Sequence, residues 1–590
     1  MPDLIPFYQN LIHEHSIALA EVKRKLVGSS TLRLLIFIVT GFGVYFFFGN
    51  TKLVLGIAVV GIAIFLFLVS RHTDLKFERN KLMALKRINE TEIQILNRDF
   101  HERPDGSVFK KAQHHFSEDI DLFGTGSFYQ YLNRTSLPQG SETLAALLTE
   151  NSITDIAKKQ EVIKELSLIP KWCQGFSAIA SLTTTKASTH AILNWLENHK
   201  PFLPSMMKYL PPLFSVLSVL LFALYFMGII NGMILLVLMG VGFGISGIYA
   251  KKISHLRNAV AKMQSTFEQY HKLIEVIEAT DFSSNLLKEK RNWIIKDGKK
   301  TSSILKEFSR LLGNLDQNNN VFYLILGNGY FLRGLATCYQ IERWIKRHCD
   351  SVKDWFDVIA FFDAYISLGT FAFNHQHYAF PELKSSVTVL KSVAAGHPLL
   401  DSEKSVTNDF EIHAEQFFIV TGANMAGKST FLRTVSLQIM MANVGLPLCA
   451  SKACYNPIKL ITSMRTTDSL TDDESYFFSE LKRLRFIVEE IQTDRFFIVL
   501  DEILKGTNST DKAKGSRKFI EKLVGSKSTG IIATHDLSLC EVAKDQNQVE
   551  NHYFDAEIID DELHFDYKFK PGICKNMNAS FLLKKMKIVD

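Results

Sequence analysis

Long uncharged stretches restrict the fold of this chain more than any other feature. Residues 34–51, LLIFIVTGFGVYFFFGNT, lie between Arg33 and Lys52, and residues 53–70, LVLGIAVVGIAIFLFLVS, lie between Lys52 and Arg71. Each approaches the ~20 residues that an α-helix needs to cross a hydrocarbon core. Backbone groups find no water there, so the helix must satisfy them itself. Asn50 and Thr51 supply a tight turn, and the pair reads as a helical hairpin. A second uncharged block, 209–250, is long enough for two more spans, with Gly228, Asn231 and Gly232 near its middle as the turn.

The flanking charges orient both hairpins. Lys23, Arg24, Lys25 and Arg33 precede the first, and Arg71, Lys76, Arg79 and Lys81 follow it. Lys200 and Lys208 precede the second, and Lys251, Lys252 and Arg257 follow it. Both turns have almost no positive charge, so the positive-inside tendency places every soluble segment in the cytoplasm. Buried helices of a large soluble core are the alternative, but such helices seldom run this long without a charge. No small-residue cleavage site follows the first run, which favours an uncleaved anchor over a secretory signal. The expectation is an integral protein of the cell or inner membrane, with the lipid bilayer as a partner.

The rest of the chain is ordinary in composition. A net charge of +6 on 590 residues does not by itself announce a nucleic-acid binder. The cysteines are dispersed, without a CxxC pair or metal-site spacing, which argues for free thiols in a reducing compartment and against a disulfide framework or zinc site. Residues 1–72 form an N-terminal helix and the first hairpin, and 73–118 a helical linker broken at HERPDG (101–106). Helical segments follow at 119–208 and 251–385, on either side of the second hairpin, the latter with long helix-like stretches such as NAVAKMQSTFEQYHKLIEVIEA. Beyond Pro381 the pattern changes to short apolar runs alternating with helices: VTVLKSV, QFFIVTG, RFFIVLDE and TGIIATHD. That alternation predicts a mainly parallel sheet, and hence a C-terminal α/β domain over 386–590.

Within that domain TGANMAGKSTFLRTV (421–435) fits GxxxxGK[ST] behind the strand FFIV and ahead of a helix-capable run. Glycines let backbone N–H groups curl around a phosphate, the helix N-terminus favours an anion, and Lys428 reaches the terminal phosphates. Ser429 offers its hydroxyl to Mg²⁺. Downstream, FFIVLDE (496–502) ends a buried strand in Asp501, a Mg²⁺ ligand, and Glu502, placed to polarise an attacking water. His535 ends the strand IIATH, where it can sense a γ-phosphate. DESYFFSELKRLRFIVEEI (473–491) carries Leu481, Leu484, Val488 and Ile491 at helical spacing, with Ser475 at the helix start, where amides favour an anion.

These motifs together resemble the MutS mismatch-repair ATPase family. TGANMAGKSTFLR is similar to its TGPNMGGKST loop, DEILKGTNSTD to its DEIGRGTS motif, ESYFFSEL to its STF-x-x-EM signature, and ATHD to its ATH. GHPLL (396–400) and VTNDF (406–410) resemble the segments that lead into the site. LFGTGSFYQYLNRTSLPQGSETLAALL (122–148), KKQEVIKEL (158–166) and CKNMNASFLLKKMKI (574–588) are similar to its helical core and closing helix. The resemblance implies an ABC-type P-loop ATPase domain joined to an all-α core and lever domain, here carrying the two transmembrane hairpins. It implies ATP and Mg²⁺ as cofactors, gripped by Gly422, Asn424, Gly427, Lys428, Ser429 and Thr430, with Asp501 and Ser429 on the metal. Glu502, His535 and Lys428 would carry the chemistry. His397 would lie near the adenine, and Ser475 would act on the nucleotide of a partner subunit, with Thr507 and Asn508 at that interface. The implied assembly is a homodimer through the ATPase domains, with DNA as a possible partner and no small-molecule substrate besides ATP.

Departures from the family qualify these expectations. Ala423 and Ala426 replace Pro and Gly, and Ala426 is tolerable only at negative φ. Leu504 and Lys505 replace Gly-Arg, and Tyr476 replaces Thr. None removes a phosphate, metal or water contact, so a slow but active ATPase is expected. Phe-x-Glu triplets at Phe100/Glu102 and Phe116/Glu118 are expected by chance among 45 phenylalanines. No domain that would present a mismatch-reading aromatic is expected, nor a helix-turn-helix tail after Lys584, and the second hairpin sits where the family has its DNA clamp. A membrane-anchored ATPase with family-implied DNA binding is therefore weighed against an ATP-controlled membrane tether. A transporter is disfavoured by few, uncharged spans and by the absence of an LSGGQ-like signature.

Overall fold

Each of the long uncharged runs becomes helix, and all but one of these helices outlast their runs. The computed structural model describes residues 4–182, 188–296, 299–316, 323–401, 403–423, 425–464, 476–504, 509–559 and 562–574. Helix α1 spans Ile5–Phe46 and α2 spans Thr51–Leu96, so α2 continues without a break through residue 72. The turn between them is Phe47–Gly49 rather than Asn50-Thr51. Asn50 instead caps α2, its Oδ1 accepting from Leu53 N at 3.3 Å, because the first turn of a helix leaves its N–H groups without intrahelical partners. The apolar ends of the pair stay exposed, including Phe37, Phe42, Leu55 and Phe67. The opposite ends pack onto the protein through Tyr8, Leu11, Leu85 and Ile95, and Tyr8 Oη donates to Asn374 Oδ1 at 2.6 Å.

The second hairpin comprises α3 (Leu210–Phe226) and α4 (Gly232–Val260). Gly228 turns the chain at φ +75°, and Asn231 caps α4. Helix α4 runs past residue 250, while α3, at 17 residues, is shorter than its half of the apolar block. The stretch beginning NAVAKMQ is not one helix: α4 ends at Val260 and a new helix starts at Gln264.

By length and composition four of the described helices could cross a membrane: α1, α2, α4 and α5 (Arg333–Asn374). The sequence reading did not anticipate α5, and packing separates it from the others. Its most apolar window is 78% buried, against 0%, 11% and 17% for α1, α2 and α4. Trp355, Phe356, Phe362 and Phe371 of α5 sit at the centre of the helical part, so this helix is core.

The C-terminal part contains two large sheets, beside a small antiparallel pair of Glu557–Ile559 with Glu562–His564. Strands β1 (Glu382–Leu383), β2 (Thr388–Ala395), β3 (Asn408–His413) and β5 (Lys452–Tyr455) form one, ordered β1-β5-β2-β3, with β2 antiparallel to both neighbours. The run VTVLKSV therefore belongs to this mixed sheet and not to the parallel one. The other sheet has the order β10-β9-β4-β8-β7-β6, from β4 (Phe417–Gly422), β6 (Lys459–Ser463), β7 (Phe496–Asp501), β8 (Thr529–Ala533), β9 (Val549–Phe554) and β10 (Lys570–Pro571). All its pairings are parallel except β9 with β10.

Both faces of this sheet are covered, which is why its strands are apolar throughout rather than alternating. Phe418, Val420 and Val499 face Leu432, Val435 and Ile439 of α6 (Lys428–Val444). Phe417, Ile419 and Ile498 face Leu484 and Ile487 of α7 (Tyr476–Glu490) and Ile520 and Leu523 of α8 (Ser509–Val524). On α7 the buried stripe is Glu480, Leu484 and Ile487, and Leu481, expected inside, is exposed. Glu480 turns the helix because its carboxylate accepts from Leu504 N at 2.6 Å.

The helical part docks against the β6 edge. Asn151 exchanges hydrogen bonds with both backbone groups of Leu460, Thr462 Oγ1 donates to Asp119, and Arg483 reaches the carbonyls of His115 and Thr462.

Candidate functional site

The C-terminal ends of β4, β8 and β7 point at one place, the position where parallel sheets gather ligands. Strand β4, buried throughout, ends in Gly422 at φ +150°, and a Cβ there would lie 2.6 Å from the Phe554 carbonyl oxygen. The chain re-enters helix through Gly427 at φ +105°, directly before α6. Ala426 is fully buried and is not in the left-handed region, as its Cβ requires. Among the described loop residues, Met425 is the left-handed non-glycine, at φ +68° and exposed. Lys428 folds over the loop, its Nζ donating to Gly422 O at 2.7 Å and Ala423 O at 2.9 Å. Burial pulls its proton affinity down, and Asp501 is the first charge that opposes this.

Ser429 Oγ donates to Asp501 Oδ2 at 2.7 Å, so the hydroxyl at the start of α6 and the carboxylate at the end of β7 share one point. Glu502 follows at φ +54°, its N–H donating to Ala533 O at 2.9 Å across the strand ends. Its Oε1 meets Lys512 Nζ of α8 at 2.9 Å. His535 is half-buried beside them. Burial first, then Lys428, lowers its pKa, so the ring is neutral at pH 7.

One cavity of about 630 Å³ collects Gly427, Lys428, Ser429, Thr430, Asp501, Glu502 and His535. Ala423 lines it, and Gly422, next in the chain, does not. His397 lines the far side, its pKa pushed down to about 4 by burial and by Arg433. Phe554, Phe431 and Tyr567 supply an apolar wall, with Tyr567 at φ +53° and Gly427 so close that a Cβ would lie 3.2 Å from the Tyr567 ring. Asn424, Ser475, Thr507 and Asn508 lie outside the described residues.

Sequence reasoning missed Lys512, Phe554 and Tyr567. No local pattern marks them, because the first acts through Glu502 and the others come from strands and loops far along the chain. It also missed Arg98, which donates to Pro398 O at 2.7 Å and Leu400 O at 2.8 Å, both just after the rim residue His397.

Fold and site define a mostly helical protein that ends in an α/β unit built around a glycine-cornered strand–loop–helix. Residues 418–587 match the family described as MutS domain V. DNA mismatch repair protein MSH4 of Arabidopsis thaliana is 32% identical over 217 residues, covering 35% of this chain and 27% of that protein. MutS protein homolog 4 of Homo sapiens is 25% identical over 290 residues, 47% of this chain and 30% of that protein. DNA mismatch repair protein MutS of Chloroflexus aurantiacus is 29% identical over 237 residues, 39% of this chain and 24% of that protein. The chain thus spans less than a third of the length of these relatives. What the match establishes is the C-terminal part: residues 418–587 are similar to MutS domain V.

Proposed function

We propose that this protein is a magnesium-dependent ATPase with a P-loop fold, held in a membrane by its two helical hairpins and working as a dimer. The observation that carries the reading is the convergence of Lys428, the Ser429–Asp501 pair, Glu502 and His535 on one cavity. The residues suit the nucleotide: glycines stand where a Cβ would strike backbone or ring, leaving amide groups free to approach phosphate. The donor set suits magnesium, since a hydroxyl and a carboxylate are hard oxygen ligands that leave other positions to phosphate and water. When bound, the metal neutralises charge on the phosphates. Lys428 exchanges loop carbonyls for the terminal phosphates, Glu502 orients the attacking water, and His535 donates to the γ-phosphate.

The dimer reading rests on α7. Phe478 and Leu481 are 50% and 38% exposed on the first turns after Ser475, an apolar rim for a partner subunit to cover. Ser475 then acts on the partner's nucleotide, and ATP closes the two sites as a sandwich.

The test is direct. Lys428→Ala should lose ATP binding, and Glu502→Gln should bind ATP and accumulate closed dimers while turnover falls by roughly 100-fold or more. Full turnover by the Glu502 variant would remove that residue from its role.

The relatives include DNA mismatch repair proteins, and duplex or branched DNA is the partner this suggests. A second reading, a tether whose association is set by ATP, is favoured by the exposed apolar faces of α3 and α4 that emerge from the helical part. Binding of mismatched, branched and perfect duplexes across a salt series separates the two. A clamp loses affinity steeply with salt and responds to ATP, and a tether shows no binding under any condition.

A further inference from the structure

A second cavity, of about 560 Å³, opens between α2 and the helical part and shares no residue with the nucleotide cavity. Its size falls in the range of small-molecule sites, about 300–1,000 Å³. Its walls are apolar over Met83, Ile88, Pro170, Leu182 and Ile366.

The charges that line it do not balance. They are Arg87, Arg103 and Arg134 against the single carboxylate of Glu92. Glu92 is already engaged: its oxygens accept from Arg134 Nε at 2.9 Å and Nη2 at 3.0 Å, and from Asn374 Nδ2 at 2.8 Å. Arg103 is therefore the cation in excess. Its Nη2 donates to the Asn133 carbonyl, while its Nε is buried without a hydrogen-bond partner. Burial and the neighbouring Arg134 pull its pKa down to about 10, the sign of a guanidinium whose positive charge is poorly compensated. Arg87 stands exposed at the mouth. A buried charge left in this condition is unfavourable unless an anion joins it.

We propose that this cavity is a binding site for a small molecule with a carboxylate or phosphate group on an apolar body, the anion meeting Arg103 and Arg87 and the body lying along Met83, Ile88 and Ile366. Such a ligand bridges α2 to the helical part, because its two halves touch walls from both. Two sources have this chemistry: a soluble metabolite, or an anionic lipid entering from the bilayer. The lining residues of α2 begin at Asn80, about 15 Å along the helix from the end of the apolar run at Ser70.

The test uses the full chain in nanodiscs of zwitterionic phosphatidylcholine, with octyl phosphate as probe. Octyl phosphate should bind saturably and raise the unfolding temperature. Its affinity should exceed that of inorganic phosphate at least tenfold, while octanol and octyltrimethylammonium give no saturable response. Arg103→Gln should unfold at the same or a higher temperature than the native chain without ligand, and bind octyl phosphate at least tenfold more weakly. Arg103→Lys should restore most of the affinity. Equal responses to octyl phosphate and octanol, or native affinity in Arg103→Gln, would overturn the proposal. Should that variant fail to fold, Arg87→Gln at the exposed mouth must weaken binding about threefold, and unchanged affinity there overturns the proposal equally. Repeating the titration in nanodiscs with anionic phosphatidylglycerol distinguishes the sources. A response lost to competition assigns the site to lipid, and a response that persists assigns it to a soluble ligand.

Discussion

Glu502 occupies a left-handed backbone position, which an L-residue holds only when its surroundings over-determine it. Here the surroundings include its N–H bond to Ala533 and the Lys512 ammonium at 2.9 Å. Lys512 does not line the cavity, so it acts as a positioning residue for the carboxylate. Lys512→Ala should lower kcat for ATP about tenfold with KM within about twofold, and Lys512→Arg should recover most of the loss. Because both side chains are partly exposed, the unfolding temperature should barely move. Steady-state kinetics on the three proteins checks this. A second residue-scale prediction concerns Asp363, buried against the N–H groups of Ser136 and Leu137, its carboxyl pushed up to about 7 by burial. The folded chain then keeps a proton that the unfolded chain, with an ordinary value of about 3.9, has already lost. Stability from this group is greatest near pH 4, falls as pH rises to about 7 and is level above, a span on the order of 4 kcal/mol. Unfolding midpoints between pH 4.5 and 8 should show that decline in the native chain and a flatter profile in Asp363→Asn. At this scale the sequence was legible wherever chemistry is tied to spacing. Gly422, Gly427, Lys428, Ser429, Asp501 and Glu502 stand together as their motifs implied. Lys512 and Asp363 were not legible, because their partners are set by how helices pack.

Among the elements, helix existence followed from apolar content and helix ends did not. The apolar runs at 34–51 and 53–70 are visible in any reading, but α1 and α2 reach to Ile5 and Leu96 because the flanking residues keep helical spacing after the charges resume. The buried face of α7 was misplaced for a related reason. A carboxylate, Glu480, lies in the stripe, and a pattern of apolar residues alone cannot find it. The same limit hides how closely elements approach one another. Gly140 opens the helix Pro138–Thr149 against α5, and a Cβ added there would fall 2.0 Å from Asp363 Oδ2. Gly175, within the helix Pro170–Ser181, has nothing within 4 Å of such a Cβ. Gly140→Ala should therefore cost about 1–3 kcal/mol by overpacking. Gly175→Ala should add roughly 0.5–1 kcal/mol through helix propensity. Two helical glycines thus carry opposite signs, measurable as a fall and a rise in unfolding temperature.

Over the whole molecule, α2 is the part that joins the proposed membrane anchor to the proposed nucleotide cavity. At 46 residues it is about 69 Å long, with the apolar run at one end and Arg98 just beyond the other. Arg98 closes this path by gripping the carbonyls of Pro398 and Leu400, which hold the segment that presents His397 to the cavity. A rod packed along its lower half can move only as a body, so a displacement at either end reaches the other through this guanidinium. Charge-assisted hydrogen bonds of this kind contribute about 1.5–3 kcal/mol when the acceptor is held in place. Arg98→Ala should free the rim without disturbing Lys428, Ser429 or Asp501, which lie across the cavity from it. The expected result is a KM for ATP raised about three- to tenfold with kcat changed less than twofold. Any difference in KM between lipid nanodiscs and detergent micelles in the native chain should also disappear in the variant. Steady-state ATPase measurements in both environments check it, and an unchanged KM would mean that α2 and the nucleotide cavity are adjacent but not coupled.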